Sequence, residues 1–344
     1  MFSTLIALAI IGQPSNIFTN NYNPRKLFNY YLVILLVSST WFLATYSSFA
    51  LASIHKRIYY DILLEQDLFS YYFARSGLHG NAHIFSYHLT ALTMALIMIN
   101  FFTSGKKLII SLILLTTSLL CVFLIGQRAL TISIIAGMIL VFLRRNALPA
   151  INIKMLLLFL FIVPIIIVMS DTFTKPISDV ATWGLIQKIT DETMQSELIS
   201  RITLQWEVLK IIFEYPQGLT IAGIDYEYLI YNLNNSLFDA WGRVIAPHNG
   251  FLTPIVDYGW ALMLLIIMVV YKIAKICKKL LFLKFEESRD LNYLNYIFCI
   301  TLISLLLNAL GHNATFTNYE PATLIFIFFT LRLYSDITQS QSSL

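Results

Sequence analysis

Residues 84–143 read IFSYHLTALTMALIMINFFTSGKKLIISLILLTTSLLCVFLIGQRALTISIIAGMILVFL, three apolar blocks parted only by Thr103-Ser104-Gly105-Lys106-Lys107 and Gly126-Gln127-Arg128. No Asp, Glu, Lys or Arg falls within Ile84–Phe102, Leu108–Ile125 or Ala129–Leu143. A helix of a soluble domain keeps a polar face; these blocks have none. Crossing about 30 Å of hydrocarbon takes about 20 apolar residues in a helix, because backbone groups in lipid must bond within their own segment. With a few flanking residues, each block reaches that length.

The same pattern recurs along the 344 residues, at 30–52, 155–170, 251–271, 292–310 and 322–334. Phe2 to Gly12, joined to Gln13–Phe18 across Pro14, is a ninth and shorter segment that reads as spanning, re-entrant or interfacial. It does not read as a signal peptide, since no basic residue precedes it and no small-residue cleavage site closes it. The fold class expected is all-α, a polytopic bundle of eight or nine membrane helices, with 58% apolar and 12% charged residues and a mean hydropathy of +0.72. That composition excludes a soluble enzyme, a disordered linker and a coiled coil. Three regions follow: membrane helices over 1–170, a large loop over 171–250, and membrane helices over 251–344.

Charge gives the expected orientation. Arg25 and Lys26, Lys106 and Lys107, Arg144, Arg145 and Lys154, and the run Lys272, Lys275, Lys278, Lys279, Lys284 and Arg289 fall on alternate connections. Short basic loops stay on the cytoplasmic side. The net charge of +4 is thus a matter of topology, and no nucleic-acid partner is expected. The loop 171–250 carries ten acids against five bases and faces outward on this reading. All six histidines (His55, His79, His83, His88, His248, His312) fall on the outward connections or the outer end of a helix. The three cysteines lie in or beside helices, so no disulfide framework is expected.

A loop of about 80 residues far exceeds the usual limit of about 15 for a connection without a function. Within it Leu198, Ile202, Trp206, Leu209 and Phe213 recur at helical spacing, and Tyr215-Pro216 ends the helix before Gly218. An amphipathic helix along the membrane surface is expected, with Trp206 at the interface. Tyr226, Tyr228, Tyr231, Phe238 and Trp241 suit either sugar rings or an aromatic belt at headgroup level.

Pro247-His248-Asn249-Gly250 directly precedes the block that starts at Phe251. There the positive end of the helix dipole favours a neutral imidazole, which can act as a base. Unpaired N–H groups at the same helix end would suit a phosphate oxygen. A simple capping histidine is the plainer alternative. Arg128 stands in a three-residue outward turn where basic residues are disfavoured, and a charge at that depth usually has a partner. Arg201 follows Glu197 by one turn, so a surface ion pair competes with a ligand there. Asp257 lies inside a spanning block, eight positions after Asn249, as a functional acid or as a hydrogen bond to a neighbouring helix. His312, Asn313 and Glu320 make a polar turn between the last two helices. His79 and His83 are four apart without an evident third ligand, and no metal is expected.

Taken in chain order, Gly126-Gln127-Arg128-Ala129-Leu130-Thr131 at the head of a helix, Ser200-Arg201-Ile202 through Trp206 to Pro216 and Gly223, and His248-Asn249 with Gly259 ten residues after Asn249 resemble the O-antigen ligase and O-antigen polymerase superfamily. The resemblance covers roughly residues 75–335 and lies in the order and sidedness of the three motifs. Leu262 stands where the ligase pattern prefers a small or polar residue or tyrosine, which favours polymerase. Members are polytopic bacterial inner-membrane enzymes with an active site facing the periplasm.

The resemblance implies transfer of a glycan from undecaprenyl diphosphate to a hydroxyl of a lipid-linked repeat unit, with no metal and no cofactor. It implies His248 as catalytic base, Arg128 and Arg201 as diphosphate-binding residues, and Asn249, Asp257 and His312 in support. A flippase and a chain-length regulator are implied as further partners, beside the bilayer. Guanidiniums suit the leaving group because they bind phosphate oxygens bidentately and do not deprotonate. The alternatives are a ligase moving the polymer to lipid A core, a membrane transporter, and a non-catalytic assembly partner. Gene deletion separates the first two, since loss of all surface glycan marks a ligase and a one-repeat capped core marks a polymerase. A transporter calls for paired intramembrane charges and matching broken helices in two halves, neither of which is evident in the sequence.

Overall fold

The computed structural model describes residues 24–47, 51, 54, 77–78, 82–102, 105–125, 128–143, 205–226, 229, 249–282, 289–311, 315 and 320–342. Among these the fold is all-helical: α1 (Pro24–Ser47), α2 (Ala82–Phe102), α3 (Lys106–Ile125), α4 (Arg128–Leu143), α5 (205–214), α6 (Leu219–Ala222), α7 (Leu252–Phe282), α8 (Arg289–Asn308), a 3₁₀ turn at Ala309–Gly311, and α9 (Pro321–Ser342). Four segments, Arg25–Thr45, Lys106–Ile125, Leu252–Leu281 and Tyr293–Gly311, are long and apolar enough to cross a membrane. Ile84–Asn100 and Ala129–Val141 are shorter apolar helices. The block 155–170 and the segment 2–18 lie outside the described residues.

The helix starts follow local chemistry. Pro24 and Pro321 occupy first helical positions, where a missing N–H costs nothing. Gly105 takes φ +62° to reverse the chain between α2 and α3, and its carbonyl accepts the Leu108 N–H.

The core is built on α2 and α8. From Phe85 to Met98, and from Leu294 to Leu302, nearly every side chain is buried. In lipid there is little hydrophobic drive between helices, so contact geometry and polar bonds hold them together. Small residues permit close approach: a Cβ on Gly137 of α4 would stand 2.3 Å from Ser304 Oγ of α8. Polar pairs bridge the helices, Asn308 Nδ2 donating to Thr90 Oγ1 at 3.3 Å and Ser111 Oγ to Asn100 Oδ1 at 2.6 Å. Phe28, Phe298, Phe326 and Phe329 form an aromatic knot joining α1, α8 and α9, with Phe298 and Phe329 stacked at 5.0 Å. Such pairs add about 0.5–1.5 kcal/mol each beyond burial. Tyr31 meets His88, and Phe42 meets Phe85. These contacts lie eleven residues apart on α1 but three apart on α2, so α1 crosses α2 steeply.

The bundle has two chemically distinct ends. At one end, the lysine end, the α2–α3 turn carries exposed Lys106 and Lys107. There Asn295 and Tyr296 of α8 reach the carbonyls of Leu280 and Leu281, close to exposed Lys278 and Lys279. The other end collects the starts of α4, α7 and α9 and the turn Ala309–Gly311.

Candidate functional site

Two helix starts meet on the turn Ala309–Gly311. The Gly250 N–H donates to Ala309 O at 2.8 Å, which fixes the start of α7. Gly311 lies against Ala129, whose Cβ would be 2.5 Å from a Cβ added at Gly311, which fixes the start of α4. Arg128 is the first residue of α4 and His248 precedes Asn249, so the backbones flanking both residues belong to this end of the bundle. The side chain of Arg128, and Arg201, His248 and His312 entire, lie outside the described residues. So do His79, the His83 side chain, and Tyr228, Tyr231, Phe238 and Trp241.

Asn249 is 8% exposed and works as a cap. Its Oδ1 accepts the N–H groups of Phe251 (3.0 Å) and Leu252 (3.2 Å), and its main-chain oxygen accepts from Thr253 N (3.1 Å) and Thr253 Oγ1 (2.9 Å). The expectation that this helix end offers unpaired N–H groups to a phosphate is therefore corrected. The amides of Gly250, Phe251, Leu252 and Thr253 are all engaged, because Asn is a strong capping residue and the turn takes the remaining donor. Any orienting bond from Asn249 to a ring or substrate falls to its amide nitrogen, since its oxygen holds the helix.

Asp257 stands just before a break in α7. Within α7, Gly259 has φ +72° and ψ −161°, so the helix breaks after Tyr258. The Trp260 N–H donates at 2.8 Å to Pro216 O, and Trp260 Nε1–H at 3.0 Å to Ile212 O. Only glycine serves at this position: a Cβ on Gly259 would lie 2.2 Å from Pro216 O, and one on Gly218 2.5 Å from Asp257 O. The straight part of α7, 260–282, still measures about 34 Å at 1.5 Å per residue, enough to cross hydrocarbon alone. Asp257 thus lies in the short helical piece before the break, within the segment Leu252–Leu281 that is long and apolar enough to cross a membrane. It is half-buried and faces Tyr226, whose phenol is held above its ordinary range by burial and by the Asp257 carboxylate. The Tyr226 oxygen has no hydrogen-bond partner among the described residues.

The helix expected before Pro216 is α5, and a second apolar face of it packs on the protein. Val208, Ile211 and Ile212 pack inward, whereas Trp206 (60%) and Phe213 (68%) are exposed. The sequence is apolar on both faces, and the backbone approach of Gly218 to Gly259 selects which one meets the protein. The face counted from periodicity points outward.

Among the described residues no cluster of three or more His, Cys, Asp or Glu side chains has metal-binding placement. The three cysteines are free and buried. Two features had no clear signal in sequence. His88, one of the six histidines, is buried in α2 with Nδ1 sharing a 2.7 Å hydrogen bond with the Tyr31 phenol. Glu320 is 2% exposed and caps α9, its Oε1 accepting Ala322 N–H (2.9 Å) and its Oε2 accepting Thr323 N–H (2.6 Å). A Glu directly before a helix-initial Pro was the available signal.

No family model, curated protein or solved structure matches the chain. The functional reading therefore rests on the residues and their placement.

Proposed function

We propose that this chain is a surface-polysaccharide (O-antigen) polymerase of a bacterial inner membrane, with eight or nine spans and its active site on the periplasmic side. It transfers a glycan from undecaprenyl diphosphate to a hydroxyl of a second lipid-linked repeat unit. The observation that carries this reading is the junction of the α4 start and the α7 start on the turn Ala309–Gly311, at the end of the bundle opposite the lysines. The helices that follow two motifs 120 residues apart in the chain, Gly126-Gln127-Arg128 and His248-Asn249, thereby start at one turn. Arg201 precedes α5, which is fastened to α7 beside the Gly259 break. His312 follows the turn directly.

In this mechanism the acceptor hydroxyl attacks the anomeric carbon as His248 takes its proton. The bond from that carbon to the diphosphate oxygen breaks, and undecaprenyl diphosphate leaves with the electron pair. Since the α7 amides are engaged by Asn249 and Ala309, the developing phosphate charge falls to Arg128 and Arg201. Asn249 keeps the residue before it in a fixed relation to the helix. Asp257 and Tyr226, beside the break, offer a carboxylate and an unpartnered phenol to sugar hydroxyls. A flippase delivering donor and a chain-length regulator are the partners this reading calls for.

Reconstitution with a lipid-linked repeat unit tests it, by following release of undecaprenyl diphosphate. Loss of the base should slow release about 100 to 10,000-fold in His248→Ala. Equal release by both proteins removes His248 from the mechanism, and no release by either removes the polymerase reading.

A further inference from the structure

Beyond glycan transfer, and independent of it, we infer that Glu320 is a proton-binding site whose loading sets how firmly the first turn of α9 is capped. The carboxyl is almost wholly buried, and neither described ion pair, Lys210–Glu207 or Arg332–Asp336, includes it. A buried carboxylate without a countercharge is costly. Its compensation here is two backbone N–H bonds and the positive end of the α9 dipole. The groups that face it from neighbouring helices carry no fixed positive charge to offset an anion: the Tyr31 phenol of α1, itself hydrogen-bonded to His88 of α2, and the Tyr87 phenol of α2.

Two hydroxyls beside the carboxyl can donate to its anion or accept from its acid. Thr323 Oγ1 lies against the carboxyl without a well-formed hydrogen bond, and Thr315 likewise buries an unpartnered hydroxyl. Thr315 is adjacent, since its carbonyl accepts the Glu320 N–H at 3.1 Å. Protonation adds an O–H donor at Glu320, which these acceptors can take. It also leaves one carboxyl oxygen, not two, as a good acceptor for the first turn of α9. Burial outweighs the capping bonds and holds the Glu320 carboxyl up to about 7. Because the pKa is raised on folding, the stability contributed by the protonated carboxyl is fully present below the ordinary Glu range and is lost as pH rises through about 7.

The test is infrared difference spectroscopy of the full chain in nanodiscs, with ¹³C-carboxyl glutamate, between pH 5 and 9. The expected result is a protonated-carboxyl C=O band that titrates near pH 7 in wild type and is missing in Glu320→Gln. The thermal midpoint of wild type should fall across the same range while that of Glu320→Gln stays level. Should Glu320→Gln not fold, the wild-type titration alone decides, since other glutamates with ordinary values are already ionised above pH 6. A band lost only near pH 4 to 5, or one unchanged in Glu320→Gln, overturns the proposal. Replacing choline chloride by NaCl should leave the midpoint where it was. A sodium-dependent shift would mean that a metal cation, and not a proton, occupies the site.

Discussion

Helices α7 and α8 are similarly apolar over their spanning windows, yet only 22% of the residues in the first window are buried against 72% in the second. On α7, Leu264, Ile267, Met268 and Tyr271 are exposed, an apolar surface suited to lipid. On α8, Asn295, Thr301, Ser304 and Asn308 are buried among apolar neighbours. In a bilayer the polar residues mark the inside of the bundle, because lipid tails do not reward apolar surface for leaving them. Apolarity locates both helices and does not tell them apart. The two also start differently: α7 is capped by a neutral amide and broken seven residues later, whereas α8 runs unbroken into the turn that holds the start of α7.

Truncation should expose this difference most strongly. Phe298→Ala in α8 removes a ring from the aromatic knot and should cost about 3–5 kcal/mol of unfolding free energy in mixed micelles. Ile267→Ala on the exposed face of α7 should stay within about 0.5 kcal/mol. Comparable losses would mean that α7 is packed against a partner on that face.

A smaller effect is expected at the break. Gly259→Ala combines a positive φ with a Cβ close to Pro216 O and should destabilise by about 3 kcal/mol, whereas Gly105→Ala, with φ +62° but open space, should cost only about 1 kcal/mol. Equal costs at the two glycines would show that α5 and the Pro216 loop do not press on α7.

The smallest effect concerns the polar seam. Thr301 Oγ1 is buried and unpartnered, so Thr301→Val should change stability by less than about 1 kcal/mol, with gain the expected direction. A loss of several kcal/mol would reveal a hydrogen bond to bound water within α8.

Much of this architecture was legible because lipid leaves the backbone few choices. Among the described residues the apolar blocks 30–52, 84–102, 108–125, 129–143, 251–271, 292–310 and 322–334 fall on helices, Phe251 excepted, and the Pro216 stop after α5 is where the sequence placed it. The break in α7 was not legible, because Gly259 is made necessary by residues 216–218, forty residues earlier, and a single glycine in an apolar run signals nothing by itself. The protein-facing side of α5 was not legible for a related reason, since periodicity identified one apolar stripe and Val208, Ile211 and Ile212 form a second. At the candidate site, His248 and Arg128 stood out as polar residues bordering apolar blocks. The engagement of the α7 amides by Asn249 did not, because a capping asparagine and a ligand-orienting one look alike in sequence.

The most direct measurement of the central claim is a set of spin-label distances among Cys residues placed at Arg128, Arg201 and His248, in nanodiscs, on a background with Cys121, Cys277 and Cys299 replaced. The account predicts that all three pairs lie at well under half of the about 30 Å hydrocarbon thickness. It also predicts that all three labels react with a membrane-impermeant reagent from the side opposite Lys278 and Lys279. A pair separated by the full thickness of the membrane, or a label reactive from the lysine side, would contradict it.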